Sequence, residues 1–387
     1  MMKEYKFGKY DLYEMDCKTI DKNWILEINE KKYVVNIDVK NFIDKYLNNG
    51  LAENEIDKLD ETDKQIFNLL KEVGYFSDDD KNIKKKNNDY ARLIFKKRLF
   101  SQKSLRHLWP FKIIFSKPAV MLIIPLIIAN IIYSCMNKGI TNTSNVFIIL
   151  ILLIIAAVFH EIGHISASIK FGIVPRWAGV GIYFVSPVTF VDVDNTWKLK
   201  QRERLIVDIG GIYFQLIIAL IYSVIYLIFN KIVFLQVSSL LIISALFNLN
   251  PFLKYDGYWI LSDILGVYNL NKQLAVSIKI LLNNIFKKEK INNFYYTNFK
   301  NYIIGVYSLI SMYFYLYFSY RLIYSSVVGI YNIIFKFSFY GLFINFIFLF
   351  FAFFSIKSLF NMIKQVIFLK IVAEAEPPTA APTSHDD

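Results

Sequence analysis

Long blocks of apolar residues follow one another through the chain after residue 112 and limit what it can fold into. Six blocks come close to the ~20 residues that a membrane-spanning helix requires. They cover 119–136, 146–169, 206–229, 232–249, 302–325 and 338–363. Of all residues, 55% are hydrophobic, against about 45–50% in ordinary soluble domains. This composition excludes a soluble globular enzyme, a disordered protein and a disulfide scaffold, and it predicts an α-helical polytopic membrane protein with about six transmembrane helices.

The positive charge of the chain is concentrated on one side of these blocks. The formal net charge is +12, from 44 Lys and Arg against 32 Asp and Glu. Most of the lysines and arginines lie before the first block, between the second and third, and between the fourth and fifth. The positive-inside rule therefore predicts a multi-pass protein of the cell membrane with both termini in the cytoplasm. We expect these loops to face anionic membrane lipid, and we expect no nucleic-acid partner.

Residues 1–76 have a globular composition with charges of both signs, unlike the blocks that follow. Short strands are predicted at 24–28 and 32–37, and amphipathic helices at 39–48 and 62–73. This order predicts a small cytoplasmic α+β domain, close to the minimum size that folds alone.

Two further changes in composition complete the domain organisation. A charged linker and a basic stretch at 77–112 precede a membrane domain at 113–370. The final segment, 371–387, differs sharply in composition from the rest of the chain. We expect this tail to be disordered, and its composition leaves open an origin in cloning.

The second apolar block contains the motif His160-Glu161-Ile162-Gly163-His164. Residues four apart share one face of a helix, so both imidazoles can bind one metal ion. Glu161 can then reach a metal-bound water as a general base. The pattern also arises by chance in ordinary helices, but a carboxylate inside a membrane costs about 3 kcal/mol and persists only with a partner or a function. The motif therefore predicts a zinc site with Glu161 as the catalytic residue.

A catalytic zinc needs a third protein ligand, and the other histidines, His107 and His385, lie in the basic stretch and in the tail. The segment 248–259 contains a proline and a glycine, which interrupt a regular helix. Irregular backbone at membrane depth is tolerated where it lines a protein-buried or watered cavity. Asp256 in this segment is the best candidate ligand; the alternative is a solvated aspartate in a turn at a helix end. Asp256 and His164 both lie near predicted cytoplasmic ends of their spans, which favours the ligand.

The two motifs together, HEIGH on a membrane helix and later Asn248-x-x-Pro-x-x-x-x-Asp256-Gly, resemble the site-2 protease family of intramembrane zinc metalloproteases. The resemblance covers 146–270, and the aromatic pair Tyr258-Trp259 after Asp-Gly is similar to the bacterial peptide zinc metalloprotease branch. The zinc ligands that it implies are His160, His164 and Asp256, with Glu161 as the base. It also implies that Asn248 holds substrate or orders the broken helix.

The third apolar block departs from the family pattern. Where the family has Gly-Pro-x-x-x-Asn, this chain has Gly210-Gly211 and then Gln215. We expect the two glycines to let helices approach closely, and we assign Gln215 no catalytic role.

Residues 180–193 alternate between apolar and small or polar residues around Ser186-Pro187, which predicts a β-hairpin at the cytoplasmic surface. A protease binds its substrate in an extended conformation, and an exposed strand edge can bind such a peptide by β-augmentation. The alternative is a hairpin that only packs over the site. The candidate substrate-binding residues are Tyr183, Phe184, Asn248 and Asn250.

The amino-terminal domain, with strands followed by helices, resembles the PqqD-type domain that binds leader peptides of ribosomally made, modified peptides. The alternatives are a generic winged-helix module and a domain that only stabilises the protein. The resemblance implies that the substrate is the leader or core of such a peptide. A peptide exporter or a maturation enzyme is then a further expected partner.

The function expected from the sequence is hydrolysis of a peptide bond in a small, ribosomally made, antimicrobial-type peptide before export. One alternative is regulated cleavage of a membrane-bound signalling protein or a signal-peptide remnant. An alternative of another class is a non-proteolytic peptide transport or immunity protein that retains a metal site. The presence of Glu161 argues against this last alternative, because a site that only binds metal needs no base.

Overall fold

The computed structural model describes residues 93–137, 145–183, 186–267 and 299–335 without interruption. It also describes shorter segments and single positions: 4–5, 10–14, 24–28, 31–35, 37–47, 51–52, 56, 58–72, 270, 274, 277–278, 349, 353, 356–357, 360 and 364. Most of the sixth predicted block and the whole tail lie outside the described residues. The chain divides into two units, Met1–Tyr268 and Asn269–Asp387.

The amino-terminal region contains two small antiparallel sheets and two helices. Its strands and helices are β1 (Glu4–Tyr5), β2 (Tyr10–Glu14), β3 (Trp24–Ile28), β4 (Lys31–Val35), α1 (Ile37–Leu47), β5 (Leu51–Ala52) and α2 (Glu61–Glu72). Strand β1 pairs with β5, and the other three strands are ordered β2-β3-β4. Leu26 of the sheet packs in one apolar cluster with Phe42 and Ile43 of α1 and with Phe67 of α2. The predicted strands and helices are therefore present, with bounds shifted by one or two residues.

A second three-stranded sheet begins in the basic stretch. Strand β6 (Leu93–Ser101) pairs antiparallel with β7 (Trp177–Tyr183), which forms a hairpin with β8 (Ser186–Val191). The predicted hairpin is present, but β6 was not predicted. Its central cations are accommodated because Lys96 and Arg98 lie over the ring of Trp177, at 3.8 and 4.7 Å from the ring centroid.

A short helix, α3 (Gln102–Leu105), follows β6. Four further described helices are long and apolar enough to cross a membrane. They are α4 (Lys117–Met136), α5 (Val146–Lys170), α6 (Gln201–Phe229) and, in the second unit, the segment Tyr302–Ile330 of α9 (Phe299–Phe335). The fourth predicted block forms α7 (Ile232–Asn248), which is apolar but has only 17 residues. The structure is consistent with a membrane protein, and the predicted number of six spans is not confirmed in the described part of the chain.

Helices α5 and α6 cross in close contact because two glycines face each other. A Cβ atom added to Gly163 would lie 2.2 Å from the carbonyl oxygen of Gly210. The crossing continues into a cluster in which Phe115 stacks on Phe214 with ring centroids 5.6 Å apart. The close approach predicted for Gly210 is therefore present.

The predicted interruption after α7 is also present. The chain turns through residues 251–255, and helix α8 (Asp256–Leu265) begins at Asp256. Oδ1 of Asn250 accepts a hydrogen bond of 2.9 Å from the backbone amide of Phe252, which stabilises the turn. Gly257 is required there because a Cβ atom would lie 2.1 Å from the carbonyl oxygen of Leu249.

Candidate metal centre

Helices α5 and α8 bring together the three residues predicted to bind metal. His160 and His164 lie one turn apart on α5, and Asp256 is the first residue of α8. Nε2 of His160 is 3.2 Å from Oδ2 of Asp256, and Nε2 of His164 is 3.5 Å from Oδ1. One ligand atom from each residue lies within 4.8 Å of the others. This is an arrangement that one metal ion can bridge.

The backbone and side chains of α6 orient both imidazoles. Nδ1 of His164 lies 2.8 Å from the carbonyl oxygen of Val207, and Nδ1 of His160 lies 3.1 Å from Oε1 of Gln215. Both oxygens only accept hydrogen bonds, so each Nδ1 carries the proton and donates. In the neutral imidazoles, Nε2 is therefore left free to bind a metal.

The donor set of the site fits a cation. When both histidines are neutral, two Nε2 acceptors face a carboxylate, and such a group of acceptors needs a positive charge between them. Oδ2 of Asp256 is buried and receives no hydrogen bond from the part of the chain that the structure describes. Burial alone would raise the pKa of Asp256, but His164 and His160, when protonated, hold it well below its usual range. An ionised carboxylate beside two neutral imidazoles is a ligand set that suits zinc.

Gly211 makes room for the site. A Cβ atom on this residue would lie 2.3 Å from Nε2 of His164 and 2.6 Å from Nε2 of His160. Gly210 faces the backbone of α5 and Gly211 faces two side chains of α5, so both glycines let the helices approach closely, as predicted, and Gly211 also makes room for the imidazoles.

Glu161 lies beside the three residues and contacts the sheet. Oγ1 of Thr189, in β8, is 3.2 Å from Oε1 of Glu161 and 3.4 Å from the carbonyl oxygen of Ala157. Glu161 is not part of the group of ligand atoms. Its position next to that group is what a general base requires.

Gln215 is a residue whose role the sequence did not reveal. It is buried on α6, accepts from Nδ2 of Asn248 at 3.1 Å, and donates to the carbonyl oxygen of Leu241 at 2.9 Å. Asn248, on α7, is thus linked through Gln215 to His160. Two signs of it were present in the sequence: an amide side chain within an apolar block, and its place at the asparagine position of the family pattern.

The structure places the other predicted substrate residues as follows. Asn248 and Asn250 make the intramolecular hydrogen bonds described above. Tyr183 is the last residue of β7 and pairs with Ser186. Phe184 lies outside the described residues. Substrate binding by these four residues stays a prediction.

The chain is similar to a protein of Bacillus subtilis (strain 168) named "Putative peptide zinc metalloprotease protein YydH". The two are 29% identical over 143 residues. The match covers 35% of this chain and 56% of the Bacillus protein, so it spans little more than half of that relative's length. No protein-family model matches the chain, and no solved structure matches it.

Proposed function

We propose that this protein is a membrane-embedded zinc metalloprotease of the site-2 type. In this proposal, His160, His164 and Asp256 bind Zn²⁺ and Glu161 is the catalytic base. The observation that carries it is the convergence of three ligand atoms within 4.8 Å, next to a glutamate in the HExxH spacing. The name of the Bacillus relative supports the same chemistry.

The residues of the site have distinct tasks in hydrolysis. When bound, zinc would act as a Lewis acid that polarises the scissile carbonyl and lowers the pKa of water to about 7. Glu161 accepts the proton of the attacking water at its carboxylate and passes it to the leaving amine. Thr189 holds Oε1 of Glu161, while Val207 and Gln215 keep both imidazoles in the required tautomer.

We propose that the substrate binds as an added strand along β8. Among the described strands, β8 pairs with β7 alone, so no described strand occupies its other edge, where an extended peptide could add. The contact of Thr189 with Glu161 brings that edge close to the base. A peptide paired with β8 would therefore present its backbone carbonyls near the site.

The amino-terminal domain is proposed to bind the leader of a small, ribosomally made and modified peptide, which is cleaved before export. Its three-stranded sheet has β2 and β4 at the edges, where a leader can add as a strand. In this proposal, substrate arrives from the cytoplasm, and an exporter or maturation enzyme acts next to it. Regulated cleavage of a membrane-bound protein is the alternative that uses the same site.

The proposal is tested with the full-length protein purified in detergent. We expect about one zinc per chain, lost in His160→Ala, because a site needs its protein ligands. Glu161→Gln should keep the zinc but lose turnover of a cleavable peptide by about 100-fold or more. Zinc content that is unchanged in His160→Ala would contradict the ligand set. Full turnover in Glu161→Gln would contradict proteolysis and favour a protein that only binds metal.

A further inference from the structure

A buried ion pair joins α6 to α8, about two helical turns along α8 from Asp256. Nε of Arg204 donates to Oδ1 of Asp263 at 2.9 Å, and the two side chains are 2% and 6% exposed. Arg204 has the largest side chain among the fully buried residues described. Burying such a pair usually gains little net stability, because desolvation offsets the attraction. Stability alone therefore does not account for it.

Further hydrogen bonds hold the carboxyl-terminal half of α8 in the same place. Nη1 of Arg204 donates to the carbonyl oxygen of Leu199 at 2.9 Å, which fixes the guanidinium. The side-chain amide of Gln201 donates to the carbonyl oxygens of Asp263 and Ile264 in the last turn of α8. The carbonyl oxygen of Asp263 also accepts from the backbone amide of Gly266 at 3.0 Å. The first turns of α6 thus bind the end of α8 at several points.

The opposite end of the same short helix carries Asp256. Asp263 follows Asp256 by seven positions, which is about two helical turns, so both lie on one face about 10 Å apart. Helix α8 has ten residues and follows a turn rather than another helix. A shift or rotation of α8 at Asp263 would therefore displace the carboxylate of Asp256.

One face of α6 also supports the other two ligands. Val207 orients His164, Gly211 makes room for both imidazoles, and Gln215 orients His160. Together with Arg204, these residues have spacings of three or four, which places them on one stripe of the helix. Helix α6 contributes none of the three candidate ligands. It does carry residues that contact both imidazoles and the helix that holds Asp256.

We infer that Arg204 and Asp263 are positioning residues that fix α8 on α6 and thereby set Asp256 as the third metal ligand. This inference rests on the proposed zinc site. From the sequence alone, Arg204 is one of the loop cations before the third apolar block. The inference gives it a structural role.

The test compares Zn²⁺ affinity, measured by competition with a chelator, in purified full-length variants. The double variant Arg204→Met/Asp263→Leu replaces both charges by apolar groups of similar size, so that neither charge is left buried alone. We expect its Zn²⁺ affinity to fall by about 10–100-fold, the range found when supports of metal ligands are removed. Asn130→Leu/Ser238→Ala is the matched control, because it removes a buried contact between α4 and α7 that touches no ligand. The control should keep the parent affinity.

A second comparison separates positioning from general stability. In an Asp256→Asn background, which keeps a weaker oxygen ligand so that Zn²⁺ affinity stays measurable, the Arg204→Met/Asp263→Leu change should cause a clearly smaller further loss, because the ligand that it positions contributes less. An equal loss in both backgrounds, or no loss in either, overturns the inference while the zinc site stands. A parent protein that binds no Zn²⁺ overturns the proposed function and this inference with it. If the double variant does not fold, Arg204→Lys is measured in the same two backgrounds and judged by the same outcomes, because it keeps the charge but loses the fork geometry.

Discussion

The hydroxyl of Thr189 lies 3.2 Å from Oε1 of Glu161 and joins strand β8 to the helix that carries both histidines. A peptide that paired with β8 would lie about 4.8 Å from that strand. The contact therefore links the surface proposed to bind substrate with the group proposed to move its proton. In that proposal, the strand that binds substrate also holds the base.

Thr189→Val tests this link, because valine keeps the shape of threonine but cannot donate a hydrogen bond. We expect kcat to fall by about 10-fold, which corresponds to one hydrogen bond of about 1.4 kcal/mol. Zinc content should stay at the parent value, since no ligand is changed. Thr189→Ser, which keeps the hydroxyl, should retain most of the activity. Equal kcat values in the valine variant and the parent would show that the contact does not orient Glu161.

Gln215→Leu should weaken zinc binding by about 10–100-fold, because Nδ1 of His160 loses its acceptor. The same change leaves Asn248 without the partner to which it donates. Gln215→Glu keeps an acceptor for Nδ1 and should weaken binding less. Gln236→Leu is the control, since Gln236 is a buried glutamine about three helical turns from Asn248 on α7. Chelator competition measures all of them, and equal affinities in the two leucine variants would contradict the role of Gln215.

Gly210 and Gly211 are adjacent, but substitution by alanine should affect a different property at each. Gly211→Ala places a methyl group against both Nε2 atoms and should abolish zinc binding while the helices still cross. Gly210→Ala places its methyl group 2.8 Å from the carbonyl oxygen of Gly163 and should instead lower the thermal stability of the purified protein. Zinc content and melting temperature are measured for both variants. If Gly211→Ala retained its zinc, the proposed ligand atoms would not converge next to Gly211.

The sequence predicts which residues converge at the candidate metal centre better than it predicts the residues that orient them. His160 and His164 are on one helix, so their shared face follows from spacing alone. Asp256 follows from a local break in an apolar segment. Gln215 orients His160 across 55 positions of sequence, and that contact exists only once α5 and α6 have packed. No local pattern encodes it.

Strand β6 shows the same limit in the fold. The run Lys96-Lys97-Arg98 interrupts the alternation that identifies a strand, and it suggested a basic stretch instead. Its pairing partner, β7, begins at Trp177, and the ring of that residue lies beneath the cations. Pairing and stacking with a distant segment therefore decide the conformation, and neither is visible in residues 93–101 by themselves.

Removal of residues 1–76 should raise the apparent KM for a leader-containing peptide and leave kcat nearly unchanged. The reason is that a recruiting domain supplies binding that is equal in ground state and transition state. A peptide without a leader should be cleaved by the truncated and full-length proteins at similar kcat/KM. Loss of zinc or of expression on truncation would instead indicate a stabilising domain.

Access from the cytoplasm is tested with single cysteines in sealed vesicles of known orientation. Tyr255 lies next to the proposed ligand Asp256 and is 37% exposed, so a cysteine there reports the accessibility of the site. The native Cys135 is exposed at the far end of α4 and should report the opposite membrane face.

An impermeant thiol reagent on the cytoplasmic side should label Tyr255→Cys in a background where Cys17 and Cys135 are serine. It should not label Cys135 when that is the sole cysteine. Hydrolysis needs water, and the hydrocarbon core holds none, so the site must open to one aqueous side. Labelling of both positions from the same face would overturn the proposed orientation, and with it a substrate that arrives from the cytoplasm.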